Sequence, residues 1–200
     1  MAIKTIGVIG AGTMGNGIAQ VCAVAGLDVV MVDISAEAVQ RGLGVVAGSL
    51  DRLLKKEKIS QADRDAAVAR IRGSTAYADL AGADLVIEAA TENESLKLRI
   101  LKEIDAIVAP TAVIASNTSS LSITKLAAAV SHPDRFVGMH FFNPVPLMAL
   151  VELIRGLQTS DATLAAAQGF AATIGKTAIV ARNSPGFAVN RILCPMINEA

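Results

Sequence analysis

The sequence lacks several features that mark particular classes of protein. It has two cysteines, no tryptophan and only 3% aromatic residues. Neither Cys22 nor Cys194 has partners at a metal-ligand spacing, so we expect no metal site and two reduced, mostly buried thiols in a cytoplasmic protein. The 18 basic and 18 acidic residues cancel, which argues against an extended nucleic-acid surface.

Long hydrophobic runs are also missing. Apolar residues make up 52% of the chain, but Asp28, Glu88 and Ser131 interrupt the longest runs before the roughly 18 residues of a membrane span. The N-terminus runs directly into a predicted strand, so we expect no signal peptide. A length of 200 residues fits one α/β domain, with at most a small appendage.

The stretch from Ile3 to Asp33 predicts a strand, a glycine turn, a helix and a second strand. Gly10, Gly12 and Gly15 have G-x-G-x-x-G spacing where the first strand meets the helix. Gly10 would allow the tight turn, Gly12 would leave room for a pyrophosphate, and Gly15 would let the helix pack closely. The free N–H groups of the first helical turn would face the phosphates. A bare motif of this kind often marks only a glycine-rich turn, but here its context favours a dinucleotide site.

Asp33 ends the second strand, roughly 20 residues past the glycines, where a carboxylate can accept both hydroxyls of a ribose. The same carboxylate would repel a 2′-phosphate, and no arginine follows it in I-S-A-E. The sequence therefore favours NAD over NADP.

Strands and helices alternate beyond Asp33. Ser35 is predicted to cap a long helix to about Lys58, and Ser60 a second helix through about Ile71. The end of the long helix is either a solvated face or a docking site for an anionic group. Its polar residues are Ser49, Arg52, Lys55, Lys56 and Lys58.

Two strong strands follow, at Asp84–Ala90 and Ala112–Ala115, with a weaker one near Ser74. The polar clusters T-E-N-E and S-N-T-S-S come directly after the strong strands, and each precedes a helix. Such alternation predicts a parallel sheet with right-handed crossovers. Ligands bind beyond the carboxyl ends of such strands, where the glycine turn and both clusters would meet.

The pattern changes after Phe136. Strands are predicted at Phe136–Phe142 and Ala149–Ile154, and the turn between them is too short for a crossover helix, so they should pair antiparallel. The remaining predicted elements are a helix over Asp161–Ile174, a strand over Thr177–Ala181 and a helix from Phe187. The predicted fold class is therefore α/β, a Rossmann-type doubly wound sheet that is mostly parallel, with antiparallel strands added near the C-terminus.

His140 lies at the end of a predicted strand, whereas His132 lies in a polar loop and is expected to be solvated. If the turn is centred on Pro146, positions 140 and 152 are equidistant from it and face each other across paired strands. Position 152 is Glu152, a carboxylate in an apolar segment that is costly to bury unless it is paired. The pair is either a structural ion pair or a general base supported by an acid.

Five segments together resemble the L-3-hydroxyacyl-CoA dehydrogenases, most closely the bacterial 3-hydroxybutyryl-CoA type. They are G-A-G-T-M-G-N-G-I-A at 10–19, E-A-A-T-E-N at 88–93, S-N-T-S-S-L at 116–121, H-F-F-N-P-V-P at 140–146 and N-S-P-G-F-x-x-N-R at 183–191. The resemblance covers essentially all 200 residues in order. It implies NAD-linked oxidation of a (3S)-3-hydroxyacyl-CoA.

The resemblance also implies residue roles. His140 would be the catalytic base, Glu152 would hold its ring, and Ser119 and Asn190 would contact the substrate. The implied cofactor contacts are Gly10, Gly12, Thr13, Met14, Gly15, Asp33, Glu92, Lys97, Ser119 and Asn143. The implied coenzyme A contacts are Ser49, Lys56 and Ser119.

Members of this family carry a C-terminal helical domain that forms a homodimer. The resemblance therefore implies an NAD-binding domain over 1–184 and the start of that helical domain over 185–200. We expect the isolated chain to bind NAD and to expose an apolar patch near Leu193 and Ile197. Two alternatives remain open at this point, namely a dehydrogenase of a free hydroxy acid or sugar acid, and a domain that only binds NAD.

Overall fold

The strands form one sheet in the computed structural model. The structure describes residues 3–199, so the predicted domain limits at 1 and 200 lie outside the described residues. The eight described strands are β1 Thr5–Ile9, β2 Asp28–Val32, β3 Ile71–Ser74, β4 Leu85–Glu88, β5 Val113–Ser116, β6 Phe136–Phe141, β7 Leu150–Arg155 and β8 Thr177–Arg182. Their order in the sheet is β3-β2-β1-β4-β5-β6-β7-β8.

Strands β1 to β6 are parallel, β7 runs antiparallel to β6, and β8 is parallel to β7. This arrangement confirms the predicted mostly parallel sheet with reversed strands added near the C-terminus. The chain runs from β1 through β2 to β3 on one side, then crosses back to place β4 on the other side of β1. In a doubly wound sheet, the crevice above such a switch point is where ligands bind.

Seven α-helices connect or flank the described strands. They are α1 Thr13–Val24, α2 Ala36–Lys55, α3 Gln61–Ala69, α4 Glu94–Asp105, α5 Ile123–Ala127, α6 Asp161–Thr173 and α7 Val189–Asn198. Short 3₁₀ turns lie at Tyr77–Leu80 and Pro133–Arg135. The predicted caps Ser35 and Ser60 each accept a hydrogen bond from a backbone N–H of the first helical turn, as does Ser122 before α5.

The core has two layers because successive residues of each parallel strand point to opposite faces of the sheet. In β1, Val8 packs in a cluster with Ile18 of α1, whereas the next residue, Ile9, packs in a second cluster with Leu101 of α4. None of the helices within residues 3–199 has both the length and the apolarity needed to cross a lipid bilayer.

Two predictions from the sequence were wrong. The helix after Ser60 ends at Ala69, and Ile71 instead opens β3, where it pairs with Val29 and buries its β-branched side chain in the sheet. Of the two thiols predicted to be buried, Cys194 is exposed, because α7 buries none of its residues. Cys22 on α1 is buried as predicted, and burial raises the pKa of its thiol well above the usual range.

Candidate active site

The glycine turn has one open position between two crowded ones. Gly10 has a φ of +97°, and a Cβ there would lie 2.7 Å from the carbonyl oxygen of Ala89. A Cβ at Gly15 would lie 1.7 Å from the carbonyl oxygen of Gly10. A Cβ at Gly12 would meet nothing within 4 Å, and no side chain caps the helix that starts there. An open backbone surface at an uncapped helix N-terminus fits the pyrophosphate of a dinucleotide.

Asp33 lies at the end of β2 and is fixed against this turn. Its Oδ2 accepts a hydrogen bond from the Ala11 N–H at 2.8 Å, and its Oδ1 accepts one from the Ile34 N–H at 2.8 Å. A cavity of about 370 Å³ adjoins the carboxylate and is lined by Gly10, Asp33, Ile34, Tyr77, Leu96, Arg99 and Glu103, among others. The mixed apolar and polar lining fits the adenosine half of a dinucleotide.

Arg99 in this cavity was missed from the sequence. No arginine lies in the segment I-S-A-E directly after Asp33, but α4 brings Arg99 to the same cavity from a distant segment. Only the packing of α4 across the sheet places them together, so no local sequence signal could have found it.

The clusters after β4 and β5 meet, as predicted. Glu92 accepts hydrogen bonds at Oε1 from the Ser119 N–H at 2.7 Å and the Ser119 hydroxyl at 3.0 Å. At Oε2 it accepts one from the Thr118 hydroxyl at 2.8 Å. These bonds join the carboxyl ends of two neighbouring strands and fix Ser119 at the edge of the switch-point crevice.

Lys97, predicted to contact the cofactor, is 1% exposed beneath that edge. Its ammonium lies 2.5 Å from Oε2 of the fully buried Glu88 and 4.0 Å from Oε2 of Glu92. Glu88 also accepts hydrogen bonds from the Ser116 hydroxyl at 2.8 Å and the Ala90 N–H at 2.9 Å. A buried charge needs such partners, so Glu88 and Ser116 complete a cluster that the sequence reasoning did not single out.

His140 and Glu152 form a buried pair. They face each other in the register of β6 and β7, and His140 Nδ1 lies 2.7 Å from Glu152 Oε2. His140 is 6% exposed and Glu152 is fully buried. A carboxylate at Nδ1 holds the proton of a neutral imidazole on that nitrogen and leaves the Nε2 lone pair free to accept one.

The second oxygen of Glu152 is held by the backbone just before and at the start of α7. Oε1 accepts hydrogen bonds from the Ala188 N–H and the Val189 N–H, each at 2.9 Å. The predicted substrate contact Asn190 follows directly in the first turn of that helix and is half-buried. The α7 segment thus brings a candidate substrate residue close to the His140–Glu152 pair.

A second cavity, of about 420 Å³, joins the predicted coenzyme A residues Ser49 and Lys56 to the cofactor turn, whereas the third, Ser119, does not line it. It is lined by Thr13, Asn16, Ser49, Arg52, Lys56, Asn143, Pro146 and Leu147, among others. Ser49 and Arg52 lie on α2 and Lys56 is its C-cap residue; their spacing of three and four residues places them on one side of the helix. Arg52, which was given no role from the sequence, adds a third polar side chain to the lining of this cavity.

Packing around two glycines sets the position of this cavity. A Cβ at Gly42 of α2 would lie 2.8 Å from the Ala11 carbonyl oxygen, so α2 packs directly on the glycine turn. A Cβ at Gly17 of α1 would lie 2.9 Å from Cβ of Val145, so the turn after β6 packs on α1. Another cavity, of about 760 Å³, lies at the opposite end of the sheet, and none of the predicted site residues lines it.

The sequence and the structure both match known proteins. A family described as "3-hydroxyacyl-CoA dehydrogenase, NAD binding domain" matches residues 5–184. A 3-hydroxybutyryl-CoA dehydrogenase of Bradyrhizobium diazoefficiens is 52% identical over 198 residues, which are 99% of this chain and 68% of that protein. A probable 3-hydroxybutyryl-CoA dehydrogenase of Bacillus subtilis is 46% identical over 200 residues, which are all of this chain and 70% of that protein.

A solved structure agrees with these matches. The crystal structure of an (S)-3-hydroxybutyryl-CoA dehydrogenase from Ralstonia eutropha has a TM-score of 0.98 and 68% sequence identity, and covers 99% of this chain and 70% of that one. The family match spans β1 to β8, including the glycine turn, Asp33 and the His140–Glu152 pair. The chain therefore belongs to the 3-hydroxyacyl-CoA dehydrogenase family, with NAD as its cofactor.

Proposed function

We propose that this chain catalyses the reversible, NAD-dependent oxidation of a (3S)-3-hydroxyacyl-CoA to the 3-oxoacyl-CoA, with 3-hydroxybutyryl-CoA as its substrate. The proposal is supported by the relatives that carry this activity in their names. The observation that carries it is the buried His140–Glu152 pair, which lies at the same edge of the sheet as the glycine turn.

His140 acts as the general base in this proposal. Its Nε2 takes the proton of the 3-hydroxyl group, and in the reductive direction the imidazolium returns that proton. NAD, when bound, supplies the nicotinamide ring that accepts the hydride from C3. Glu152 stabilises the imidazolium at 2.7 Å from Nδ1, and such positioned general bases contribute roughly 10²–10⁴-fold to a rate.

Other residues hold the substrate and cofactor. Ser119, fixed by Glu92, and Asn190 of α7 contact the acyl group beside the catalytic pair. Ser49 and Lys56 contact the coenzyme A moiety, where the ammonium pairs with a phosphate as a flexible point charge. The cofactor contacts run from the glycine turn through Thr13, Met14, Asp33, Glu92, Lys97, Ser119 and Asn143.

Residues 1–184 are proposed as the NAD-binding domain, and 185–200 as the start of a helical dimerisation segment. The exposed side chains of Ile192, Leu193, Met196 and Ile197 on α7 support that second assignment. We propose a homodimer that acts in the cytoplasm.

The test of the proposed function is the initial rate of NADH oxidation with acetoacetyl-CoA, compared with free acetoacetate and with an acetoacetyl-pantetheine thioester. We expect turnover of acetoacetyl-CoA and a higher KM for the truncated thioester, because that substrate lacks the groups that reach Ser49 and Lys56. Equal turnover of free acetoacetate would identify a hydroxy-acid dehydrogenase instead. NADH binding without any turnover would identify a domain that only binds the cofactor.

A further inference from the structure

We propose that Phe187 is a positioning residue for His140, and that its left-handed backbone conformation is what places the first residues of α7 on Glu152. The inference rests on the proposed role of His140 as the base. Phe187 precedes α7, is 3% exposed, and has a φ of +51°. A bulky side chain rarely adopts that backbone region, and such outliers cluster at functional sites.

The turn that holds Phe187 in this conformation is closed by hydrogen bonds of its own and is tied to α5 on its upstream side. The Phe187 N–H donates to the Ser184 carbonyl at 2.9 Å, and the Arg191 N–H donates to the Gly186 carbonyl at 3.0 Å. Just upstream, Asn183 Oδ1 accepts a hydrogen bond from the Ile123 N–H at the start of α5 at 2.9 Å. These bonds fix the backbone conformation at position 187 against relaxation.

The conformation has two consequences at the catalytic pair. The Phe187 ring lies edge-on to the His140 imidazole, with centroids 5.8 Å apart and an interplanar angle of 62°. The next two amides, of Ala188 and Val189, point at Oε1 of Glu152. A right-handed or extended conformation at 187 would rotate both amides away. Phe187 thus contacts the imidazole through its ring, together with the nearer ring of Phe142 at 4.5 Å, and it alone also orients the carboxylate through the backbone that follows.

A buried phenylalanine also fills space, so loss of general packing must be separated from loss of the position of His140. Phe170 of α6 offers a matched control, since it too is 3% exposed but lines the cavity at the opposite end of the sheet. Phe187→Leu and Phe170→Leu remove similar volume from similarly buried sites. Phe187→Gly is a second variant, in which the left-handed turn is unstrained and only the ring is lost.

The experiment combines imidazole ¹⁵N spectra with kinetics. The chain contains only two histidines, so its spectra hold only His132 and His140. In the wild-type protein, at a pH where the ring is neutral, we expect a His140 signal with the proton on Nδ1. In Phe187→Leu and Phe187→Gly that signal should move towards a mixture of tautomers. A displacement of about 1 Å can cost on the order of 10²-fold in rate, so kcat with acetoacetyl-CoA should fall about 10- to 100-fold, with the KM for NADH unchanged. Phe170→Leu should change neither readout.

Wild-type His140 signals together with wild-type kcat in Phe187→Gly would overturn the proposal. So would an equal fall of kcat in Phe170→Leu, because that result makes the effect one of general packing. If the His140 signal shifts but the wild-type protein turns over no 3-oxoacyl-CoA, the positioning role stands and the proposed function fails. If the wild type turns over acetoacetyl-CoA but the His140 signal is unchanged in both Phe187 variants, the proposed function stands and the positioning role fails.

Discussion

Replacing Glu152 with Gln should switch the tautomer of His140 rather than simply remove a charge. Oε1 of Glu152 accepts from two backbone N–H groups, and Oε2 faces His140 Nδ1. A glutamine keeps only one acceptor oxygen, and that oxygen accepts the hydrogen bonds from the two backbone N–H groups. Its NH₂ group then faces Nδ1 and donates to it. The neutral ring must carry its proton on Nε2, where a base needs a lone pair.

The expected fall in kcat follows from the free-energy cost of the other orientation of the glutamine amide. Turning the side-chain amide of the substituted glutamine around would restore the correct tautomer but leave the two partly buried N–H groups without acceptors, at about 1–3 kcal/mol each. About 2–6 kcal/mol in total corresponds to roughly 30-fold to 10⁴-fold, at about 1.4 kcal/mol per factor of ten. Most of that range overlaps the roughly 10²–10⁴-fold that is typical for loss of a general base. We therefore expect kcat to fall about 10²–10⁴-fold in Glu152→Gln.

The assay is steady-state reduction of acetoacetyl-CoA by NADH, with NADH affinity measured separately by fluorescence. NADH affinity should stay within about twofold of wild type, because Glu152 touches His140 and α7 rather than the glycine turn. The ¹⁵N spectrum should show the His140 proton on Nε2. A Glu152→Gln protein with nearly wild-type kcat, or with the proton still on Nδ1, would refute this reasoning.

Three further predictions concern the cofactor and coenzyme A sites. Gly12→Ala should leave the melting temperature unchanged but raise the Kd for NAD about tenfold or more, whereas Gly15→Ala should lower the melting temperature because its Cβ would overlap a carbonyl oxygen at 1.7 Å. Calorimetry measures the melting temperatures, and titration with NAD measures the Kd values. Asp33→Ala should weaken NAD binding and relax discrimination against NADP, and unchanged selectivity between the two Kd values would rule out the ribose contact. Lys56→Ala should raise the KM for acetoacetyl-CoA without changing that for NADH, whereas Lys55→Ala, exposed one residue away and outside the cavity lining, should change neither.

Local patterns predicted the parts of the fold that depend on nearby residues. The glycine turn, its flanking strands and Asp33 form one contiguous unit, so spacing alone was enough. The pairing of His140 with Glu152 could also be predicted, because the register of a tight antiparallel pair follows from the centre of its turn. The burial of Glu152 then follows from the apolar residues around it.

Other features depend on packing between distant segments and left no local signal. Arg99 reaches the cavity beside Asp33 only through the position of α4, and Arg52 reaches the second cavity only because α2 packs on the glycine turn. The sequence placed Phe187 at the start of a helix. Its left-handed conformation arises from the turn before it and from bonds to α5, which no pattern in N-S-P-G-F encodes.

The central claim is that His140 exchanges a proton with the oxygen on C3 of an acyl-CoA substrate. The most direct measurement is the rate of NADH oxidation with acetoacetyl-CoA in His140→Gln, alongside the wild type and His132→Gln, which alters the exposed histidine. We expect at least a roughly 10²-fold loss of kcat in His140→Gln. NADH affinity should be unchanged in that variant, and His132→Gln should have wild-type kinetics. Near wild-type turnover by His140→Gln would contradict the role of His140 as the base.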